Sequence, residues 1–462
     1  MSFREEQDSM GTVKVPEDAY YGAQTQRAVE NFTISGLRFP RPFIRALGII
    51  KEHAAGVNLE LKLLDPSIAE AVIRAAEEVV EGKHDDQFVV DLFQTGSGTS
   101  TNMNANEVIS GRANEILTGK RGRRNPVHPN DHLNLGQSSN DVIPSAIHMA
   151  ALSEIGDHLL PSMADLEKAL REKSEAFRGI PKIARTHLQD AVPMTLGQEF
   201  SGYARQVELG IERIRMVEPR LAELALGGTA VGTGMNTHPL FAAKVVEGIS
   251  KETGYPFREA QNHFEAQASR DTAVETSGAL KTFAVSLVKI ANDIRWLSSG
   301  PRCGLGEINI PSLQPGSSIM PGKVNPVIPE VVIQVAGQVI GHDAAVTFAG
   351  QAGNFELNVT LPLIAHNLLQ SIHLLDSTVR VFSEKCIQGI SANEDRCASY
   401  LKQSLALVTA LVPAVGYDKA ASLAKEALNT GKTVREAALE SGILSEDEVN
   451  RILDRAIKEA GN

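Results

Sequence analysis

A mainly helical, all-α protein is predicted by three observations. Aromatic residues make up only 5% of the 462-residue chain, with a single Trp296, so the core has to be built mostly from Ala, Leu, Ile and Val. Those residues suit packed helices. Five long segments repeat apolar residues at three- and four-residue spacing, the period of a helix face. Three Ser/Thr-x-x-Glu patterns near the C-terminus carry the capping-box signature of helix starts.

Residues 1–35 are rich in Gly, Pro and Tyr and read as irregular structure with a short hairpin. Helical spacing begins with Ile44, Leu47, Ile50 and Ala54. The first long segment carries Ile155, Leu159, Met163, Leu166 and Leu170, and the second Val207, Ile211, Ile214, Leu221 and Leu224. The third carries Leu280, Phe283, Leu287, Ile290, Ile294 and Leu297. Val332, Val335, Val339 and Val346 mark the fourth; Ile364, Leu368, Ile372, Leu375, Val379 and Phe382 mark the fifth. Each would run about 30 Å or more, and side by side they would form an elongated bundle. Apolar residues beyond one stripe, around Val331 to Ile340, point to burial against further subunits.

The run Leu224 to Gly234 follows a helical pattern, not a strand, and lacks G-x-G-x-x-G. It reads as a helix-ending turn with Gly227 as the cap. Ser391, Thr433 and Ser445, each with a glutamate three residues on, would start the helices of a small C-terminal domain. Pro413, Gly416, Gly431 and Gly442 punctuate it.

A chain of this length is expected to hold two or three domains. A hydrophobic content of 42% and a charged content of 22% are those of a globular protein in water. The net charge of −11 argues against a nucleic-acid partner, so a positive site for an anion would have to be local. The cysteines are Cys303, Cys386 and Cys397, an odd number without C-x-x-C spacing. That argues against a disulfide framework and for a reducing compartment. Cys386 and Cys397 sit in or near a helical pattern and read as buried thiols, in preference to cluster ligands. The N-terminus shows neither an apolar signal region nor an Arg-rich transit pattern. No uncharged apolar run approaches the roughly 20 residues of a membrane span. A cytoplasmic protein with no membrane partner is expected.

Four polar clusters carry the chemistry. In GSSIMPGKVNP, Gly316 to Pro326, glycines and prolines make a loop, and Ser317, Ser318, Lys323 and Asn325 offer hydroxyls, a fixed positive charge and an amide. That set suits a small anion. Asn325-Pro326 reads as an N-cap followed by proline at the first helical position. Glu330 then falls in the first turn, as a dipole-complementing carboxylate or as a partner that holds and charges a histidine. TGSGTSTNMNANE, Thr95 to Glu107, crowds glycines and hydroxyls before a helix, as an anion cradle or as a Gly/Ser linker with an Asn-rich cap. HPNDHLNLGQSSND, His128 to Asp141, places Ser138, Ser139 and Asn140 near another helix start, where a cap at Asn140 is the plain alternative. The spacing of His128, Asn130, Asp131 and His132 fits no common zinc pattern, so no metal is expected. In ARTHLQDAVPMTLGQE, Ala184 to Glu199, Thr186-His187 interrupts the apolar periodicity. A histidine there can exchange protons near neutral pH or be a satisfied structural residue.

Together these clusters resemble the class II fumarases of the fumarase/aspartase superfamily. The resemblance runs nearly end to end, from GTVKVPEDAYYGAQTQRAVENF at Gly11 to the capped C-terminal helices. NPVIPEVVIQVAGQVIGHD and TVREAALESGILSEDE lean toward the aspartate ammonia-lyases. The RTHLQD segment leans the other way, because fumarases carry histidine where aspartases carry glutamine, and here it is His187. HPNDHLNLGQSSND, LALGGTAVGTGMNTH and GNFELN also look like fumarase. The resemblance implies three largely helical domains at residues 1–138, 139–392 and 393–462, the middle one a five-helix bundle. Four such bundles would tetramerise into a twenty-helix core, with each active site shared by three subunits.

It also implies reversible hydration of fumarate to (S)-malate without a cofactor, with aspartate deamination as the alternative. Ser97, Gly98, Thr99, Ser138, Ser139, Asn140, Thr186, Ser318 and Val324 would hold the dicarboxylate, together with Lys323 and Asn325. Lys323 and Asn325 would stabilise an aci-carboxylate intermediate. Ser317 would take the C3 proton, and His187, paired with Glu330, would protonate the departing hydroxyl. His128, Pro129, Asn130 and Asp131 match an accessory anion site. Asn125 stands where that site's usual basic residue belongs, which leaves Arg123 or Arg124 as the substitute.

Overall fold

The computed structural model describes residues 2–122 and 124–459. It opens with a hairpin of β1 (Phe3–Asp8) and β2 (Gly11–Pro16), paired from Phe3↔Pro16 to Asp8↔Gly11. Then come α1 (Ala23–Asn31), α2 (Arg41–Glu60), α3 (Pro66–Val80), α4 (Thr99–Thr118) and α5 (Ser139–Glu154). A π-helical turn at Ile155–Leu159 leads into α6 (Leu160–Ala176). A second hairpin, β3 (Pro181–Thr186) and β4 (Gln189–Thr195), precedes α7 (Leu196–Arg215) and the short α8 (Glu218–Leu221). Next are α9 (Phe241–Thr253), α10 (His263–Ala268), α11 (Asp271–Leu297), α12 (Val327–Gly350) and α13 (Leu361–Lys385). The chain closes with α14 (Glu394–Gln403), α15 (Val412–Val415), α16 (Tyr417–Thr430), α17 (Val434–Ser441) and α18 (Glu446–Glu459).

Contacts divide the chain into two compact units. One holds residues 1–160, 213–282 and 338–375; the other holds 161–212, 283–337 and 376–462. In the first, α2 buries Phe43, Ile44, Leu47, Ile50 and Ala54. Gly48 lets α3 come close, since a Cβ there would stand 2.9 Å from Val80 Cγ2. The start of α1 lies against Glu107 of α4, whose carboxylate accepts from the backbone N–H groups of Gly22, Gln24 and Thr25 at 2.9, 3.0 and 2.9 Å. That satisfies three of the orphan donors at the helix start. In the second unit, Gly210 of α7 faces Phe283 and Met163. Its small C-terminal part packs Leu401, Leu407, Leu411, Leu423, Val434, Val449 and Leu453 around Ile183 of β3.

The apolar periodicity predicts the long helices well. Ile155, Leu159, Met163, Leu166 and Leu170 are buried, as are the six positions from Leu280 to Leu297 and the six from Ile364 to Phe382. Five details differ. A helix, α1, stands where irregular structure was expected. The second segment is not one helix: α7 ends at Arg215, and Pro219 starts the separate turn α8. Leu221 and Leu224 remain buried beyond the break. Gly227, at φ +92°, therefore turns the chain after a two-residue strand and caps no helix. Asn393, not Ser391, caps α14, because its side chain accepts from Arg396 N–H while Ser391 pairs with Asn309 in a bridge. Finally, α12 begins at Val327, and the Asn325 amide donates to the Gly316 carbonyl at 2.6 Å instead of capping.

Cys386 and Cys397 are buried free thiols, pushed up to about 12 by burial, while Cys303 is exposed. Among the described residues, α12 is the one single helix whose length and apolar composition would suit a membrane span. Only 33% of that apolar window is buried within the chain.

Candidate active site

Two of the polar clusters meet in the first unit. Gly98, at φ +72°, opens α4, and Ser138 opens α5 in a capping box with Asp141. The starts of these helices are tied together, since Asn102 Nδ2 donates to Ser139 Oγ at 3.1 Å. A Cβ on Gly98 would stand 3.0 Å from the Ile143 side chain. Two helix N-termini thus converge, each with positive partial charge on its first N–H groups. The Thr95–Thr99 loop is fixed at Gly96, where a Cβ would lie 1.8 Å from the Val359 carbonyl and where Leu361 N–H donates to Gly96. Ser97 and Thr99 share a hydrogen bond of 2.7 Å.

Asn140 is not the cap; its amide donates to the Ala230 carbonyl at 2.8 Å. Asp141 is the organiser here. It is fully buried and accepts from the N–H groups of Ser138, Gly227 and Thr229 at 2.8, 3.1 and 2.9 Å. Burial pushes its carboxyl up to about 6, against those hydrogen bonds. Lys51, buried nearby and donating to Gln137 at 2.9 Å, is pushed down to about 7 by burial.

The second unit carries Thr186, His187 and the candidates from Ser317 to Glu330. His187 and Leu188 form the tip of the β3–β4 hairpin, at φ 58° and 60°. A two-residue hairpin loop of the type I′ kind requires positive φ at both positions. Asn, Asp or Gly would be the relaxed choices; histidine and leucine are not, and such strain concentrates at functional sites. Thr186 and His187 are exposed.

The base of this hairpin is rigid. Arg185 grips the buried Glu307 with two hydrogen bonds of 2.8 and 3.1 Å. Lys182, also buried, stands 2.8 Å from Glu199 and 3.6 Å from Glu307. Arg185 further lies over the Tyr400 ring at 5.7 Å. None of these groups was singled out from sequence. Arg185 sits two residues from His187, but Glu307 is 122 residues away from Arg185 and stands in a Gly-rich stretch without periodicity.

The Gly316–Pro326 loop folds on itself. Gly316 N–H donates to the Lys323 carbonyl at 2.7 Å. A Cβ on Gly316 would stand 2.6 Å from that same carbonyl oxygen, so only glycine fits. Ser317 Oγ accepts the backbone N–H groups of Ile319 and Met320 at 3.2 and 3.0 Å. Ser318, Lys323 and Val324 are exposed. Lys323, Val324, Asn325 and Glu330 line a cleft of about 620 Å³ with Arg295 and Trp296; Ser317 is not part of its wall. Glu330 lies in the first turn of α12. Among the described residues, His187 and Glu330 make no hydrogen bond or ion pair with each other within one chain.

His128 to Asp131 form a third feature, in the first unit. His128 Nδ1 accepts from the N–H groups of Asn130 and Asp131 at 3.3 and 3.1 Å. Burial, followed by the charge of Arg124, holds the His128 imidazole below its ordinary value. Arg124 reaches Asn130 at 3.3 Å and shares with it and His128 a cleft of about 490 Å³. Pro129 is buried in the same turn. The other candidate basic residue, Arg123, lies outside the described residues.

Known proteins decide between the two members of the superfamily. A lyase family model matches residues 11–341, and a model of the fumarase C C-terminus matches residues 407–456. The class II fumarate hydratase of Nitrosomonas europaea is 54% identical over 98% of this chain and 98% of its own. The chain belongs to the class II fumarate hydratase family. The corresponding protein of Halobacterium salinarum is 57% identical over 98% of this chain and 96% of its own. The crystal structure of the class II fumarase from Schistosoma mansoni matches with a TM-score of 0.96 at 40% identity, covering 98% of each chain. The mainly helical fumarase/aspartase fold and membership among the lyases follow.

Proposed function

We infer that the protein is a hydro-lyase that interconverts fumarate and malate. The observation that carries this is full-length identity above half to class II fumarate hydratases. The aspartate ammonia-lyase reading is not favoured. The experiment is absorbance of fumarate with (S)-malate in one cuvette and L-aspartate in the other, both with chelator. Fumarate from malate alone is expected; fumarate from aspartate alone would reverse the assignment.

In the mechanism we propose, removal of the C3 proton of (S)-malate places extra charge on the adjacent carboxylate, giving an aci-carboxylate. In this proposal Lys323 and the second N–H of the Asn325 amide meet that charge. Ser317 is the base. A serine hydroxyl is a weak base unless its alkoxide is stabilised, and the two N–H groups aimed at Ser317 Oγ support such stabilisation. His187, exposed on a strained turn, protonates the departing hydroxyl, or activates water in the reverse direction. Ser97 to Thr99, Ser138 to Asn140, Thr186, Ser318 and Val324 hold the dicarboxylate, and the two converging helix starts support an anion there. His128 to Asp131 with Arg124 form the accessory anion site.

The assembly we propose is a homotetramer of three-domain subunits, divided at residues 1–138, 139–392 and 393–462, with each active site built by three chains. Exposed Val331, Ile340 and Phe348 on α12 support it. Sedimentation would return a tetramer; a monomer with full activity would overturn the shared site. A cytoplasmic location and turnover without cofactor complete the proposal.

A further inference from the structure

Glu52 and His53 lie side by side on α2, and Glu252 reaches them from α9. One ligand atom from each of the three, an imidazole nitrogen and two carboxylate oxygens, lies within 4.8 Å of the other two. His53 Nε2 stands 2.6 Å from Glu252 Oε2. The ring's other face is set by the helix behind it: a Cβ on Gly248 would lie 2.5 Å from His53 Nδ1. Glycine at that position lets α9 press against Nδ1 and leaves Nε2 turned to the carboxylates.

The group opens into a cleft of about 450 Å³ that Lys244 and Lys251 also line. Neither lysine serves Glu52. Lys244 pairs with Glu60 at 2.6 Å and Lys251 with Glu247 at 2.5 Å. Among the described residues, Glu52 makes no hydrogen bond or ion pair. A half-buried carboxylate without a partner, beside a second carboxylate, is costly unless a proton or a cation joins it.

We propose that Glu52, His53 and Glu252 bind one divalent first-row transition cation, of which zinc is the representative. The imidazole selects this class over calcium or magnesium, which prefer all-oxygen sites. Zinc bonds of about 2.0–2.2 Å require donors roughly 3.4 Å apart in a tetrahedral shell. Side-chain rotation on two rigid helices brings the three donors to that spacing and leaves a fourth position for water. The cation takes the place of the proton shared by His53 and Glu252. It joins α2 to α9 and uses no residue assigned above to fumarate. Glu252 is 199 residues from His53, so the spacing could not show the site in the sequence.

The test is calorimetric titration of the metal-free full-length protein with zinc chloride in a non-chelating buffer, with thermal unfolding in parallel. One zinc per chain and a raised Tm are expected. His53→Gln and Glu52→Gln should each weaken binding about tenfold or more while malate turnover stays unchanged. The exposed Glu252→Gln serves if either of these folds poorly. Glu247→Gln, in the same cleft but outside the donor set, should bind as the parent does. No saturable binding by the parent, or undiminished binding by the three donor variants, would overturn the site.

Discussion

The helix start Ser138–Asp141 and the loop Gly316–Pro326 are both rich in hydroxyl and amide groups and opposite in how they are held. The first is finished within its own unit. Asp141 is buried, receives three N–H groups and locks the start of α5 to the turn at Gly227–Thr229. The second is largely exposed, and it is held mainly by its own hydrogen bonds, from Gly316 to Lys323, from Asn325 to Gly316, and from Ile319 and Met320 to Ser317. A preorganised binding wall and a loop able to close over substrate are both useful to an enzyme. Stability should therefore respond to changes at the helix start and turnover to changes at the loop.

The largest effect is expected at Ser317. Ser317→Ala should lower kcat about 10³-fold or more with Tm unchanged, read from fumarate absorbance and a thermal melt. Near-normal turnover would end its assignment as the base. His187→Asn should lower kcat about 10²-fold. Asparagine tolerates positive φ, so the turn should survive and Tm should hold; a large fall in Tm would mean that the histidine is structural.

Glu307→Gln should act on stability first. It removes the carboxylate between Lys182 and Arg185, and breaking a buried pair costs about 3–5 kcal/mol. A denaturation midpoint equal to the parent's would show that the hairpin carrying His187 is held by other contacts.

Asp141→Asn should cost about 1–3 kcal/mol and change the pH response. The Asp141 carboxyl in the folded chain stays protonated up to about 6, above the usual 3.8. Between those values the folded chain holds a proton that the unfolded chain has released, so this group's contribution to stability falls as pH rises. Asp141→Asn should remove that part of the slope, measured as denaturation midpoints from pH 4 to 7. The smallest effect belongs to Thr433, whose exposed capping box with Glu436 serves only α17. Thr433→Ala should cost about 1 kcal/mol without touching turnover.

Much of this was legible in the chain itself. The periodicity of Leu280 to Leu297 and of Ile364 to Phe382 gave two long helices, because a stripe every three or four residues can be buried only one way. Thr433 and Ser445 marked their helices for the same local reason: Thr433 and Glu436, like Ser445 and Glu448, satisfy each other's donors within one turn. His187 and the Ser317–Asn325 set stood out as polar groups that break a pattern.

What the sequence determined by itself is local: where helices begin, which face is apolar, and which loops are too rich in donors to be mere connections. The tertiary structure alone decided the rest. It showed that α7 stops at Arg215, that Asn325 serves Gly316 and not the helix, that Glu307 clamps the hairpin of His187, and that Glu252 faces His53. The last two depend on groups distant along the chain meeting in space, 122 residues apart for Arg185 and Glu307 and 199 for His53 and Glu252. Hydrogen bonds and ion pairs between such groups leave no period in the sequence, because the fold sets their distance and the spacing of residues does not.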